Sequence, residues 1–134
     1  MFDHLGIVVS DLNRSRTFYT NLLAALDIQL LQDNSQDDGT GWLLYGTEDN
    51  APFFVVASGR PSFWTEKHAP AMSPVHCAFI AASEEAVKLF YGQGLAYGGS
   101  DNGAPGDRGR GYYAAYLIDP DGNNVEAGYR KVAS

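Results

Sequence analysis

Three side chains of this 134-residue sequence are of types that bind metal ions, and each lies in an otherwise apolar, strand-like segment. His4 lies in FDHLGIVV, His76 lies in VHCAFIAA, and Glu126 follows the turn-forming DPDGNN. Neutral imidazole nitrogens and a carboxylate oxygen suit a divalent first-row ion, and three such ligands leave coordination positions free for water or substrate. The sequence therefore predicts one divalent metal ion per chain, with zinc, manganese, iron and nickel all open.

These side chains also have purely structural interpretations. A single histidine in an apolar strand is commonly a hydrogen-bonded core residue, and Glu126 could be an exposed residue of an edge strand or part of a structural ion pair. A repeat favours the metal interpretation, because between residues 4 and 24 an offset of 72 residues superimposes five pairs of identical residues. The pairs are His4 with His76, Phe18 with Phe90, Tyr19 with Tyr91, Leu23 with Leu95 and Ala24 with Ala96.

The repeat predicts two modules with the element order βαβββ. The first strand of each module is FDHLGIVV or VHCAFIAA. An amphipathic helix follows in each, beginning near Ser10 and Asp11 in the first module and spanning SEEAVKLFYGQGL in the second. The other predicted strands lie near residues 28–31, 42–45, 53–57, 96–98, 112–118 and 124–129. We expect an α+β fold in which the paired modules form a curled mixed sheet around a cleft that both histidines face.

A proline-bearing stretch separates the two halves. SGRPSFWTEKHAPAMSP, residues 58–74, contains three prolines, each of which removes a backbone donor and fixes φ. We therefore predict one domain over residues 1–134, with module one at 1–58, a linker at 59–74 and module two at 75–134. Within the linker, Trp64 either forms an aromatic wall of the cleft or covers the seam between the modules.

The second module holds further candidates for substrate contact. Alternation along the penultimate strand sends Tyr113 to one face and Tyr112 and Tyr116 to the other, and we select Tyr113 as the phenol for proton transfer, with packing as the alternative. The glycine-rich SDNGAPGDRGRGYY predicts a mobile loop at the mouth of the cleft. There Arg108 or Arg110 would meet an anionic substrate, unless the loop is an ordinary solvated one.

Composition limits the class of partner. Nine Lys and Arg against sixteen Asp and Glu give a formal net charge of −7, and the scattered basic residues argue against nucleic acid. The sequence has no apolar run of the roughly 18 residues that span a bilayer, and its start lacks the pattern of a signal peptide. A single cysteine, Cys77, excludes an internal disulfide. We expect a cytoplasmic protein that acts on a small molecule and binds neither nucleic acid nor membrane.

The segments DHLGIVVSDLNRSRTFY, VHCAF and DPDGNNVEA resemble the vicinal oxygen chelate superfamily. That superfamily includes glyoxalase I, bleomycin-resistance proteins, fosfomycin-resistance transferases and extradiol dioxygenases. The resemblance covers nearly the whole chain and implies a glyoxalase-like fold. It also implies metal ligands on the first strand of each module and on the final strand, at His4, His76 and Glu126, and a homodimer.

Glyoxalase I has a fourth ligand, a glutamate, on the last strand of its first module, where the offset of 72 places Phe54. The resemblance thus implies a three-ligand centre and a protein that is not an efficient glyoxalase I, with Phe54 as an apolar surface against the substrate. Two functions stay open. One is a metal-dependent lyase, dioxygenase or transferase, and the other is a metal-free, bleomycin-resistance-like module that sequesters an aromatic or cationic compound.

Overall fold

A computed structural model describes residues 1–48, 52–59 and 76–131. The first module has the predicted order βαβββ. Its elements are β1 (His4–Val8), α1 (Leu12–Ala24), β2 (Gln29–Ser35), β3 (Gly41–Gly46) and β4 (Phe53–Ser58). Helix α1 begins where predicted, because Asp11 adopts an extended backbone and its carboxylate accepts a hydrogen bond from the amide of Arg14 at 3.0 Å.

The second module repeats this order. Its elements are β5 (His76–Ile80), α2 (Glu84–Ala96), β6 (Ser100–Asp107), β7 (Tyr112–Ile118) and β8 (Asn124–Arg130). Ser83 caps α2 by accepting from the amide of Ala86 at 3.1 Å, and Glu84 and Glu85 place negative charge at the positive end of the helix dipole. The α+β fold of two βαβββ modules is therefore confirmed.

Each module forms its own four-stranded mixed sheet. The strand orders are β1-β4-β3-β2 and β5-β8-β7-β6. The first strand of each sheet pairs in parallel with the last strand, while the remaining neighbours are antiparallel. Strands β1 and β5 both lie at sheet edges, so within the described part of the chain the two sheets are not joined by strand pairing.

The hydrophobic core lies between the sheets and their helices. The two helices pack against each other, with α1 also on the first sheet and α2 on the second. Phe18 of α1 and Phe90 of α2 are both fully buried, as the repeat requires. Cys77 is buried in this core, where burial raises the pKa of its thiol.

The turn between β7 and β8 connects the two modules. Asp119 is buried and accepts a hydrogen bond from the hydroxyl of Tyr19 on α1 at 2.6 Å. Asp121 accepts from the hydroxyl of Ser10 at 2.5 Å and from the guanidinium of Arg14 at 3.2 Å. The sequence DPDG was interpreted only as a turn, whereas its two carboxylates also hold module one.

Two strands differ from their predictions. Strand β2 extends to Ser35, four residues beyond its predicted end, and continues through polar residues that were interpreted as a loop. Strand β6 lies at Ser100–Asp107, inside the glycine-rich segment predicted to be a mobile loop, and not at 96–98. Strand β6 pairs with β7 along the ladder, and its register shifts between Asp101 and Gly106 accommodate the glycines.

No helix in the described ranges is long and apolar enough to cross a membrane. Trp64 and the predicted linker after Gly59 lie outside the described residues.

Candidate functional site

Each sheet has one face against its helix and one face without a helix. Alternation along the strands and the observed registers assign residues to these two faces. The face of the second sheet that carries Glu126, here named the helix-free face of module two, is polar and aromatic. It includes His76, Ala78, Ile80, Tyr112, Ala114, Tyr116, Ile118, Asn124, Glu126, Gly128 and Arg130. The helix-free face of module one carries His4, Gly6, Trp42, Leu44, Phe53, Val55 and Ala57.

Glu126 lies at the centre of the candidate site. Its side chain is only 7 % exposed, so its charge requires partners. One carboxylate oxygen, Oε2, lies 2.8 Å from Nε2 of His76, and the other, Oε1, accepts a hydrogen bond from the hydroxyl of Tyr112 at 2.5 Å. Both oxygens are thereby satisfied by side chains of neighbouring strands. Asn124, beside His76 in register, has a buried Oδ1 without a hydrogen-bond partner among the described residues.

Tyr112 reaches Glu126 by lying across β8. Its register partner is Arg130, and its ring passes over Gly128 to bring the hydroxyl to the carboxylate. The guanidinium of Arg130 stacks on the ring, 4.2 Å from its centroid. Burial and the hydrogen bond to Glu126 raise the pKa of Tyr112 to about 12, so the phenol is a neutral hydrogen-bond donor at pH 7.

His4 lies apart from this pair within one chain. Its side chain is 62 % exposed, and Nδ1 lies 2.7 Å from the carboxylate of Asp3. Among the residues that the structure describes, no three His, Cys, Asp or Glu side chains are grouped closely enough to hold a metal ion. The structure thus brings together two of the three predicted ligands. In the strand around His4, His4, Leu5 and Gly6 are exposed, Ile7 is buried and Val8 is partly buried.

The predicted equivalence of Phe54 and Glu126 is wrong by one residue. In the first sheet His4 pairs with Phe53, and in the second His76 pairs with Asn124, so the residue equivalent to Glu126 is Val55. Phe54 points to the helix side and is 5 % exposed. Its ring centroid lies 5.3 Å from that of Tyr19, 5.2 Å from that of Phe79 and 6.4 Å from that of Tyr45.

The other predicted contact residues have diverse positions. Tyr113 packs against the hydrophobic core on the helix side of β7. Arg108 lies on the ring of Tyr116, 5.0 Å from its centroid, and donates to the backbone oxygens of Ala104 and Ala114. Arg110 is exposed in the turn before β7, with a left-handed φ of 54°. The site therefore places two arginine–tyrosine stacks, by Arg108 and by Arg130, in module two.

Sequence reasoning missed Tyr112, Gly128 and Arg130. Tyr112 was assigned to the face opposite Tyr113, and that assignment is correct, but nothing in the sequence alone indicated that its hydroxyl reaches Glu126. The available signal was a strand that places Glu, Gly and Arg in succession on one face, at 126, 128 and 130.

A surface cleft of about 540 Å³ also lies at the start of α1, lined in part by Asp11 and Asp38, and the candidate site residues do not line it.

Comparisons with known proteins agree with this architecture. The model of the Glyoxalase/Bleomycin resistance protein/Dioxygenase superfamily matches residues 1–127. A glyoxalase/bleomycin resistance protein from Albidiferax ferrireducens T118 is 31% identical, with a TM-score of 0.75 over 97% of this chain and 99% of that one. A search of curated proteins gives no match.

Two more distant structures share the fold. A glyoxalase/bleomycin resistance protein/dioxygenase family enzyme from Burkholderia phytofirmans PsJN is 15% identical, with a TM-score of 0.71 over 96% of this chain and 98% of that one. TioX from Micromonospora sp. ML1 is 14% identical, with a TM-score of 0.72 over 98% of this chain and 99% of that one. From its sequence match and its two βαβββ modules, the chain belongs to the glyoxalase/bleomycin resistance protein/dioxygenase superfamily.

Proposed function

We propose that this protein is a divalent-metal-dependent enzyme that acts on a small molecule through oxygen atoms of the substrate. The observation that carries the proposal is the contact between Nε2 of His76 and Oε2 of Glu126 at 2.8 Å on a helix-free sheet face. An imidazole nitrogen and a carboxylate oxygen side by side are donor types that would hold a divalent first-row ion. The donor set therefore fits a first-row divalent ion.

A bound ion would supply Lewis acidity, polarising substrate oxygens and stabilising negative charge that develops on them. The protein residues provide the rest. Tyr112 holds Glu126, and Arg130 stacks on the ring of Tyr112. The helix-free face of module one offers an apolar surface of Trp42, Leu44 and Val55 for the remainder of a substrate. Arg110 stays a prediction for binding of an anionic group. Tyr113, predicted for proton transfer, lies on the helix side of β7, on the face opposite Glu126.

We further propose that the third ligand, His4, comes from a second copy in a homodimer. Within one chain His4 is exposed and does not join His76 and Glu126. The edge strands β1 and β5 each end a sheet, and Ile80 of β5 is 89 % exposed, which leaves apolar surface for a partner. In a symmetric dimer, each copy would give His4 to one site and receive it at the other.

Metal analysis tests the proposal directly. The protein is purified without chelators, and its zinc, manganese, iron and nickel contents are measured. We expect one equivalent of metal per chain in the parent, and affinity reduced at least about tenfold in His4→Ala, His76→Ala and Glu126→Gln, because each removes one ligand. Glu85→Gln, which removes an exposed carboxylate on α2, is the control. Affinity unchanged in Glu126→Gln would refute the assignment.

Mixing two defective variants tests the dimer. His4→Ala lacks one ligand and Glu126→Gln another, so neither homodimer contains an intact site. If the site spans two copies, a mixed dimer has one intact and one doubly defective site, and random exchange restores about a quarter of the sites. A mixture that restores none, although exchange is demonstrated by mass spectrometry, would place the whole site within one chain.

A metal-free binding module is the second candidate. It is favoured by Glu126, because His76 and Tyr112 already satisfy both carboxylate oxygens without a metal. In that case the buried carboxylate between aromatic side chains would receive an organic cation. Chelator-treated protein would then show thermal stabilisation by an aromatic cation such as ethidium, and Glu126→Gln would lose it. Stabilisation by metal alone would exclude this function.

A further inference from the structure

Tyr112 can contact Glu126 only because Gly128, over which its ring lies, has no side chain. Gly128 has no positive φ and pairs regularly with Ile80 and Ala114 in the sheet, so its backbone conformation is open to any residue. A Cβ atom at this position would overlap both the ring and the hydroxyl of Tyr112. Glycine is therefore required here for space: its bare backbone is the surface on which the phenol lies.

Arg130 also contacts the ring. Arg130 follows two residues after Gly128 on the same face of β8, and its guanidinium stacks 4.2 Å from the centre of the Tyr112 ring. The phenol has its hydroxyl on Oε1 of Glu126 at 2.5 Å. Tyr112 therefore contacts Gly128, Arg130 and Glu126. These three contacts leave its side chain little rotational freedom, as is required of a residue that supports a functional group.

We propose that Tyr112 is a positioning residue for Glu126, held in place by the bare backbone of Gly128 and by Arg130. By occupying Oε1, the phenol leaves Oε2 as the oxygen that Glu126 presents beside His76. The carboxylate thus acts through one fixed oxygen. This role differs from that predicted for Tyr113, whose side chain lies on the other face of β7.

The consequence for a metal ion rests on the proposed function. A carboxylate held by a hydrogen bond on one oxygen binds through the other with its orientation already fixed, and loss of such a supporting partner typically weakens metal affinity about 10- to 100-fold. Tyr112→Phe removes the hydroxyl. Gly128→Ala keeps Tyr112 and displaces it, so the two variants should weaken affinity for Zn²⁺ alike.

The first arm of the experiment needs no metal. In chelator-treated protein at pH 7, the ¹³Cδ resonance of Glu126 is assigned by its loss in Glu126→Gln. We expect Tyr112→Phe and Gly128→Ala to move it in the same direction. The controls are Tyr129→Phe, a phenol on the other face of β8, and Gly92→Ala, a glycine of α2 with open space around it. The upfield ring-current shift of the Arg130 side-chain protons should be lost in Gly128→Ala.

The second arm measures Zn²⁺ affinity by competition with a chelator. We expect Kd to rise about 10- to 100-fold in Tyr112→Phe and Gly128→Ala, and to change less than about twofold in both controls. A parent that binds none of Zn²⁺, Mn²⁺, Fe²⁺ and Ni²⁺ would refute the proposed function, while the carbon resonance still decides the positioning role. If Gly128→Ala does not fold, the Glu126 resonance and the Zn²⁺ affinity are measured in Tyr112→Phe and Tyr112→Leu instead. A Glu126 resonance at its parental position in the Tyr112 variants would overturn the inference.

Discussion

The two modules share their helix sides and differ on their helix-free faces. On the helix side, α1 and α2 have equal lengths at an offset of 72, and Phe18 and Phe90 are both fully buried. On the helix-free side, module two carries polar and ionisable side chains, whereas module one carries mainly apolar ones. The equivalent pairs, with module one first, are Val55 and Glu126, Ala57 and Gly128, Leu44 and Tyr116, and Trp42 and Ala114.

This difference shows which positions of a repeated module are free to diverge. Core residues contact many neighbours, so a change in volume there is costly. A carboxylate on the helix-free face needs hydrogen-bond partners, and module two provides them to Glu126 through His76 and Tyr112. In module one Val55 occupies the equivalent position, and His4 faces solvent beside Asp3. Only the polar face has the partners that a charged group requires.

The largest expected effect concerns glyoxalase I activity. The fourth ligand of glyoxalase I is a carboxylate, and the register places Val55, a non-ligand, at its position. That carboxylate would also serve as the base for proton transfer. Without it we expect turnover of methylglyoxal and glutathione to be about 10² to 10⁴ below that of an authentic glyoxalase I. Protein loaded separately with zinc, nickel, manganese or iron is assayed, and Val55→Glu tests whether a carboxylate there raises the rate. Turnover of the parent within about tenfold of the authentic enzyme would contradict this reasoning.

The second prediction separates Phe54 from its neighbour Val55. Phe54 packs between Tyr19 and Phe79 in the core, so Phe54→Ala should lower the free energy of unfolding by about 3 to 5 kcal/mol. Val55→Ala, at a partly buried position of the helix-free face, should cost about 1 kcal/mol or less. Urea denaturation followed by circular dichroism gives both values. Equal losses would mean that the two faces are not as different as the register indicates, and Phe54→Leu serves if Phe54→Ala does not fold.

The fold could be predicted well from the sequence because the sequence contains an internal repeat. Hydrophobic periodicity and capping residues identified both helices, and the repeat identified β1 and β5 at the same offset. The register of β4 could not be predicted in the same way. The connection before β4 spans residues 47–52 and the one before β8 spans residues 119–123, so the offset falls from 72 to 71 between them. A difference of one residue moves every side chain of a strand to the other face.

The candidate site was predicted only by residue type. His76 and Glu126 were visible as polar residues in apolar strands, whereas Tyr112 is four positions along the ladder from the cross-strand partner of Glu126. Contact over that distance depends on a ring lying across Gly128, which no periodicity encodes. Strand β6 was missed for a different reason, since its glycines and proline are typical of a loop.

The smallest expected effect concerns the contact by which module two reaches module one. Burial disfavours the charged form of Asp121, but hydrogen bonds from Ser10 and the charge of Arg14 outweigh it and hold the pKa of Asp121 below its usual value. Because the folded-state pKa is the lower one, the contact contributes fully above the unfolded-state pKa of about 3.9 and is lost as pH falls through the folded-state pKa.

Asp121→Asn should therefore lower the free energy of unfolding by about 1 kcal/mol at pH 7, a modest value because Arg14 is nearly half exposed. The difference from the parent should close as pH falls from about 4 to about 2. Urea denaturation at a series of pH values measures it, and Asp37→Asn, which removes an exposed charge in the β2–β3 connection, is the control. A difference that stays constant or widens in acid would show that the Asp121 carboxylate does not hold the two modules together through its charge.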